Sequence, residues 1–110
     1  MVTFQEIQFF LEKHNTYYMN FLKKMVSINS YTENAKGIER ISNCIFSYFK
    51  KLQFNRTLIP HKIKHYGPYS IFTKKGSSKY EIALLLHSDT VYSKQEEENN
   101  NFTYNVKGPK

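Results

Sequence analysis

The residues with the most chemical capacity in this chain are His87 and Asp89, two positions apart, directly after the apolar run Ile82-Ala83-Leu84-Leu85-Leu86. A neutral imidazole is a zinc ligand. A carboxylate beside it can accept from the other ring nitrogen, fixing the tautomer and raising the basicity of the ligating one. Taken alone, the pair fits two readings equally: a metal ligand with its orienting carboxylate, or a strand end whose polar groups are satisfied by backbone and water. A zinc ion requires three or four protein ligands, and little of the 110-residue sequence follows His87 to supply them. The other candidates carry less. His14 falls on a helical apolar stripe and reads as packing, while His61 and His65 lie among Lys62 and Lys64 and read as exposed strand residues. Glu96-Glu97-Glu98 is acidic enough for a cation, but consecutive carboxylates do not converge on one point.

The elements that must position this pair can be read from periodicity and punctuation. Thr3 and Glu6 form a capping box, and Phe4, Ile7, Leu11, Tyr18, Phe21, Leu22 and Met25 hold one face of a first helix. The polar stretch from Ser27 to Asn34 breaks that helix, and Asn34 caps a second one with the face Ile38, Ile41, Ile45, Tyr48, Phe49 and Leu52. Beyond Phe54 the period changes. Residues 58–64 and 69–73 are predicted as strands of a hairpin turning at Tyr66-Gly67-Pro68, with Pro60 marking an edge or an irregular start. Residues 80–86 are predicted as a third, buried strand, on which both helices are expected to pack. The Glu/Asn-rich stretch from Glu96 to Asn101 reads as a solvated loop, and Phe102 to Val106 as a short strand.

Composition narrows the classes. At this length the chain is at most one small domain. Its apolar fraction of 40% is low, an effect partly offset by nine Phe and nine Tyr. Cys44 is the only cysteine, which excludes an internal disulfide and suits a reducing compartment. No leader-like N-terminus and no run of about 20 apolar residues is present, so a cytoplasmic protein is expected. The net charge is +7, yet every basic residue except Arg40 and Arg56 is Lys. Arginine forks are what specific phosphate and base recognition favour, so a solvated Lys-rich surface is the simpler reading of the charge.

The order of elements and five sequence segments resemble the N-terminal part of the zinc peptidases of clan MH, the group of glutamate carboxypeptidase, acetylornithine deacetylase, succinyl-diaminopimelate desuccinylase and aminoacylase. The segment Leu22 to Ser30 looks like the family's first-helix ending, Ser30, Thr32 and Asn34 like its Ser-x-Thr-x-Asn loop, and Asn34-Ala35-Lys36-Gly37-Ile38 like its second-helix opening. His87-Ser88-Asp89-Thr90-Val91 matches the hallmark His-x-Asp-Thr-Val, and Lys107-Gly108-Pro109 resembles the start of a Gly-Pro-Gly segment. Departures are Leu86 for the Gly before the His, where a larger side chain is expected to crowd the site, Asn29 for a Pro, Gln53 for a Gly that often ends the second helix, and Lys110 for the second Gly of Gly-Pro-Gly.

The resemblance implies an α/β fold for residues 1–110, with two N-terminal helices packed on a partial mixed sheet, an incomplete zinc-peptidase catalytic domain. It implies His87 as a zinc ligand and Asp89 as the catalytic-site carboxylate that holds it. The family's remaining ligands and its general base match nothing in this sequence. The resemblance therefore implies a fragment or truncated product of a hydrolase acting on peptides or N-acyl amino acids. Such a chain is expected to be inactive alone, to bind no stoichiometric zinc, and to self-associate through an uncovered sheet edge. Two readings from other classes stand beside it. One is a small basic nucleic-acid-binding module, with Tyr66, Tyr69 and Phe72 stacking bases among Lys62, Lys64, Lys74 and Lys75. The other is a non-catalytic partner of an intact family member.

Overall fold

The computed structural model describes residues 1–108. The described elements run α1 (Phe4–Val26), α2 (Ala35–Lys51), β1 (Asn55–Ile59), β2 (Tyr69–Thr73) and α3 (Lys94–Asn99). The chain divides into two compact units, one comprising Met1–Ser27 with the segment from Thr103 onward, the other Ile28–Phe102.

In the first unit, α1 starts where the capping box places it. The Thr3 hydroxyl accepts from the Glu6 N–H, and the Glu6 carboxylate accepts from the Thr3 backbone N–H at 2.8 Å and from its hydroxyl at 2.9 Å. Those bonds, the backbone one first, hold the Glu6 carboxyl below the usual carboxylate range. Lys23 and Lys24 sit in the last turn, where they suit the negative end of the helix dipole. His14 is half-buried on this helix, with Nδ1 2.7 Å from the Phe10 carbonyl and its ring against Phe10 and Tyr18. It packs, as its place in the stripe predicted.

In the second unit, α2 lies on a two-stranded antiparallel hairpin. The register Arg56↔Phe72 and Leu58↔Ser70 puts the even-numbered residues on the face turned to the helix. There Phe72 stacks on Phe49 at 5.2 Å and on Phe46 at 6.1 Å, and the Arg56 guanidinium lies 4.5 Å over the Phe46 ring. Ile38, Ile41 and Cys44 are the buried apolar residues of the helix. Buried Ser42 bonds the Ser70 hydroxyl at 2.6 Å and accepts from Arg56 at 3.2 Å, and among the described residues no buried side-chain polar atom lacks a partner. Gly67 is buried where the hairpin loop meets α2; a Cβ there would run into the Ile38 side chain. At the end of α2, Gln53 adopts φ 64°, the left-handed position past a helix C-terminus that glycine favours. Gln53 is the residue that departs from the glycine of the resembled pattern.

The structure bears out a mixed α/β chain and corrects its details. The hairpin is antiparallel, and the only parallel pairing among the described residues is the single bridge Tyr31↔Thr90, so the expected partial mixed sheet is not formed. β1 lies at residues 55–59, not 58–64: Pro60 has no N–H to give a ladder, and the chain leaves the sheet there. Residues 80–86 are not a strand. Leu85 is 99% exposed and Ile82 90%, and neither hairpin edge pairs with them. α2, which lies in the same unit, therefore does not pack on this segment as expected. A hydrophobic run makes a buried strand only where neighbours supply both hydrogen bonds and cover. Phe102 to Val106 forms no strand either, and Pro109 and Lys110 lie outside the described residues. The stretch read as a loop is in its first part the end of α3, a helix begun by a second capping box in which Ser93 and Glu96 bond reciprocally. Ser93-x-x-Glu96 was the signal for it.

Candidate functional site

The site is built from two loops far apart in sequence. The first, Asn29–Asn34, is shaped by its own amides. The Asn34 side chain accepts from the Gly37 N–H at 3.0 Å, capping α2, and donates to the Asn29 carbonyl at 3.0 Å. This arrangement requires a glycine at position 37, because a Cβ there would meet the Asn29 carbonyl oxygen and the Asn34 amide. The capping amide and the glycine thus fix the path of the loop as it enters the helix.

The second segment, residues 88–92, is laid against that loop. The Thr90 N–H donates to the Ser30 carbonyl at 2.9 Å, and the Thr32 N–H donates to the Thr90 carbonyl at 3.2 Å. The buried Ser30 hydroxyl donates to the Ser88 carbonyl at 2.8 Å, and the Asn29 amide to the Tyr92 carbonyl at 3.1 Å. Each such bond contributes about 1 kcal/mol net. Together they hold the backbone on both sides of Asp89.

Between these anchors stand the two residues singled out from the sequence. Asp89 is half-buried. Its Oδ2 accepts from the Thr32 hydroxyl at 2.7 Å, and its Oδ1 lies 3.7 Å from His87 Nδ1. The same ring nitrogen is 3.2 Å from the Asp89 carbonyl oxygen. Both acceptors lie on the Nδ1 side, which favours the tautomer protonated there and leaves the lone pair on Nε2, a nitrogen with no hydrogen-bond partner among the described residues. The His87 side chain is 88% exposed. A pair so open to water adds little to stability; its effect is to orient the ring. Leu86 is also exposed, so it does not crowd the site as the sequence suggested.

The structure brings His87 and Asp89 together and leaves the other histidines elsewhere. His61 packs against Tyr66 and Tyr69 at 4.9 and 5.0 Å, and its Nδ1 accepts from the Ile63 N–H. His65 stands edge-on to Tyr66. Among the described residues no group of three or more His, Cys, Asp or Glu is placed to hold a metal ion. One imidazole and its orienting carboxylate are part of a zinc shell, not a whole one.

Ser30 and Thr32 are the contributors whose contacts the sequence did not show. They were visible as members of the Ser-x-Thr-x-Asn loop, with nothing to mark Ser88 and Asp89 as their partners. The aromatic platform proposed for nucleic acid is not assembled. Tyr69 and Phe72 are three apart on one strand and so point to opposite faces, and Phe72 is taken up by Phe46 and Phe49. No helix among the described residues is long and apolar enough to cross a membrane. Among known proteins, no family model matches the sequence, and no curated protein or solved structure matches it significantly.

Proposed function

We propose that this chain is the N-terminal part of a zinc-dependent peptidase or amidohydrolase of the clan MH type, acting on peptide or N-acyl amino acid amide bonds in the cytoplasm. His87 is the metal ligand it contributes, through Nε2, and Asp89 is the carboxylate that holds the ring. The observation that supports this reading is the clamp itself. The loop and the His-x-Asp-Thr segment, matched separately to the family pattern, are bonded to each other across the chain, with Asp89 at the centre. The positive φ of Gln53, where that pattern has a glycine, agrees with it. Zinc, when bound, polarises an amide carbonyl and supplies a nucleophilic water. The described residues hold one corner of such a site and no matching general base. The isolated chain is therefore assigned neither stoichiometric zinc nor hydrolysis.

Zinc titration followed by the imidazole resonances tests this. An oriented ligand binds about 10-fold or more tightly than an unsupported one. His87 should respond first, through Nε2, ahead of His14, His61 and His65, and the response should vanish in His87→Ala. Equal response of all four rings would refute the assignment. A tight one-to-one complex by calorimetry, lost in His87→Ala and accompanied by chelator-sensitive hydrolysis of acyl-amino acids, would refute the incomplete-site reading. Salt-sensitive binding of single-stranded nucleic acid that is indifferent to His87→Ala would favour the basic-module alternative.

A further inference from the structure

We propose that Thr32 is the positioning residue of the His87–Asp89 pair, a role that rests on the reading of His87 as an Nε2 ligand. The carboxylate of Asp89 has two oxygens and two neighbours. Thr32 Oγ1 is 2.7 Å from Oδ2, a short bond of the kind made to a charged acceptor. That leaves Oδ1 on the side of the ring, 3.7 Å from Nδ1, which also lies 3.2 Å from the Asp89 main-chain carbonyl. Without Thr32 the carboxylate is free to turn about its Cβ–Cγ bond, because the torsion at a planar carboxyl is soft. Thr32 itself does not wander. It is half-buried, its N–H donates to the Thr90 carbonyl, and its hydroxyl also lies 3.3 Å from that carbonyl. The hydroxyl has one proton, and the shorter contact gives it to Asp89. Thr32 thus sets the angle of the carboxylate, the second of the two acceptors, beside the Asp89 main-chain carbonyl, that favour a proton on Nδ1.

The measurement is the nitrogen chemical shifts of the His87 ring at a fixed pH where the imidazole is neutral, assigned with His87→Ala. In the wild-type chain Nδ1 is expected in the protonated range and Nε2 in the unprotonated range. Thr32→Val, which keeps the shape and removes the hydroxyl, is expected to move the ring toward the opposite tautomer, and Thr32→Ser to restore the wild-type shifts. A second variant covers the case in which Thr32→Val does not fold: Thr32→Ala removes the hydroxyl and its bulk together, and the ring should shift in the same sense. If Thr32→Ala leaves the tautomer balance unchanged, Thr32 does not act on the ring through Asp89 and the proposal fails. If folded Thr32→Val keeps the wild-type shifts, it fails as well, while the ligand reading of His87 survives. If the wild-type ring already carries its proton on Nε2, both are overturned together.

Discussion

Substituting Gly37 tests the link between helix entry and site geometry. In the early part of a helix, Gly→Ala ordinarily stabilises, by about 1 kcal/mol, through lower backbone entropy in the unfolded chain. Here the added methyl would collide with the Asn29 carbonyl oxygen, a backbone atom, and with the amide of Asn34. Overpacking of this kind costs about 1–3 kcal/mol. The Asn34 side chain also caps α2 and ties down Asn29, and displacing it weakens bonds to the Gly37 N–H and the Asn29 carbonyl, at about 1 kcal/mol each. The clash and the weakened bonds outweigh the propensity gain, and Gly37→Ala should destabilise the fold by about 2 kcal/mol. Urea denaturation reads that figure directly. The control is Gly76→Ala, where a Cβ would come no closer than 4.0 Å to any heavy atom, the Ser78 nitrogen, and the change should stay within about 0.5 kcal/mol. Because Asn29 leads into Ser30 and Thr32, the damage should also reach the clamp. Hydrogen exchange at the Thr90 N–H, which donates to the Ser30 carbonyl, should accelerate in Gly37→Ala. Equal or higher stability in the variant would refute the close approach at Gly37. Lower stability with an unchanged Thr90 N–H would refute the coupling of helix entry to the site.

Three further outcomes follow from local geometry. Gln53→Gly should stabilise the chain by about 0.5–1 kcal/mol in the same denaturation assay, since Gln53 has φ 64° and glycine takes that conformation without steric cost. Leu85→Lys should change stability by no more than about 0.5 kcal/mol and reduce self-association in sedimentation, because Leu85 is 99% exposed; a loss of several kcal/mol would restore the buried strand at 80–86. The Glu6 and Glu96 carboxyls are held below the usual range by bonds from Thr3 and Ser93, the backbone N–H first and the hydroxyl second. A carboxyl depressed on folding adds stability above its unfolded pKa and loses it as pH falls through the folded value. Hydrogen-exchange protection in the first turns of α1 and α3 should therefore fade on acidification, and the Glu6 midpoint should rise in Thr3→Ala.

Much of the local structure is legible in the residues alone. Thr3 and Glu6, and Asn34 and Gly37, satisfy backbone groups within a few positions, so α1 and α2 start where their punctuation puts them, and the alternating segment Tyr69–Thr73 needs only the neighbouring strand of its own hairpin. The capping box at Ser93 was equally local and was passed over for the acidic composition around it. The candidate pair was legible as well, because His87 and Asp89 are two apart and their meeting needs no tertiary contact. Burial was not legible. The run at 82–86 has the composition of a central strand, but a strand is made by neighbours, and the described hairpin gives it none. Nor was the bond from Thr32 to Asp89, which joins residues 57 positions apart. Only the folded chain brings those loops together, since hydroxyls in a turn carry no mark of which distant carboxylate they will meet.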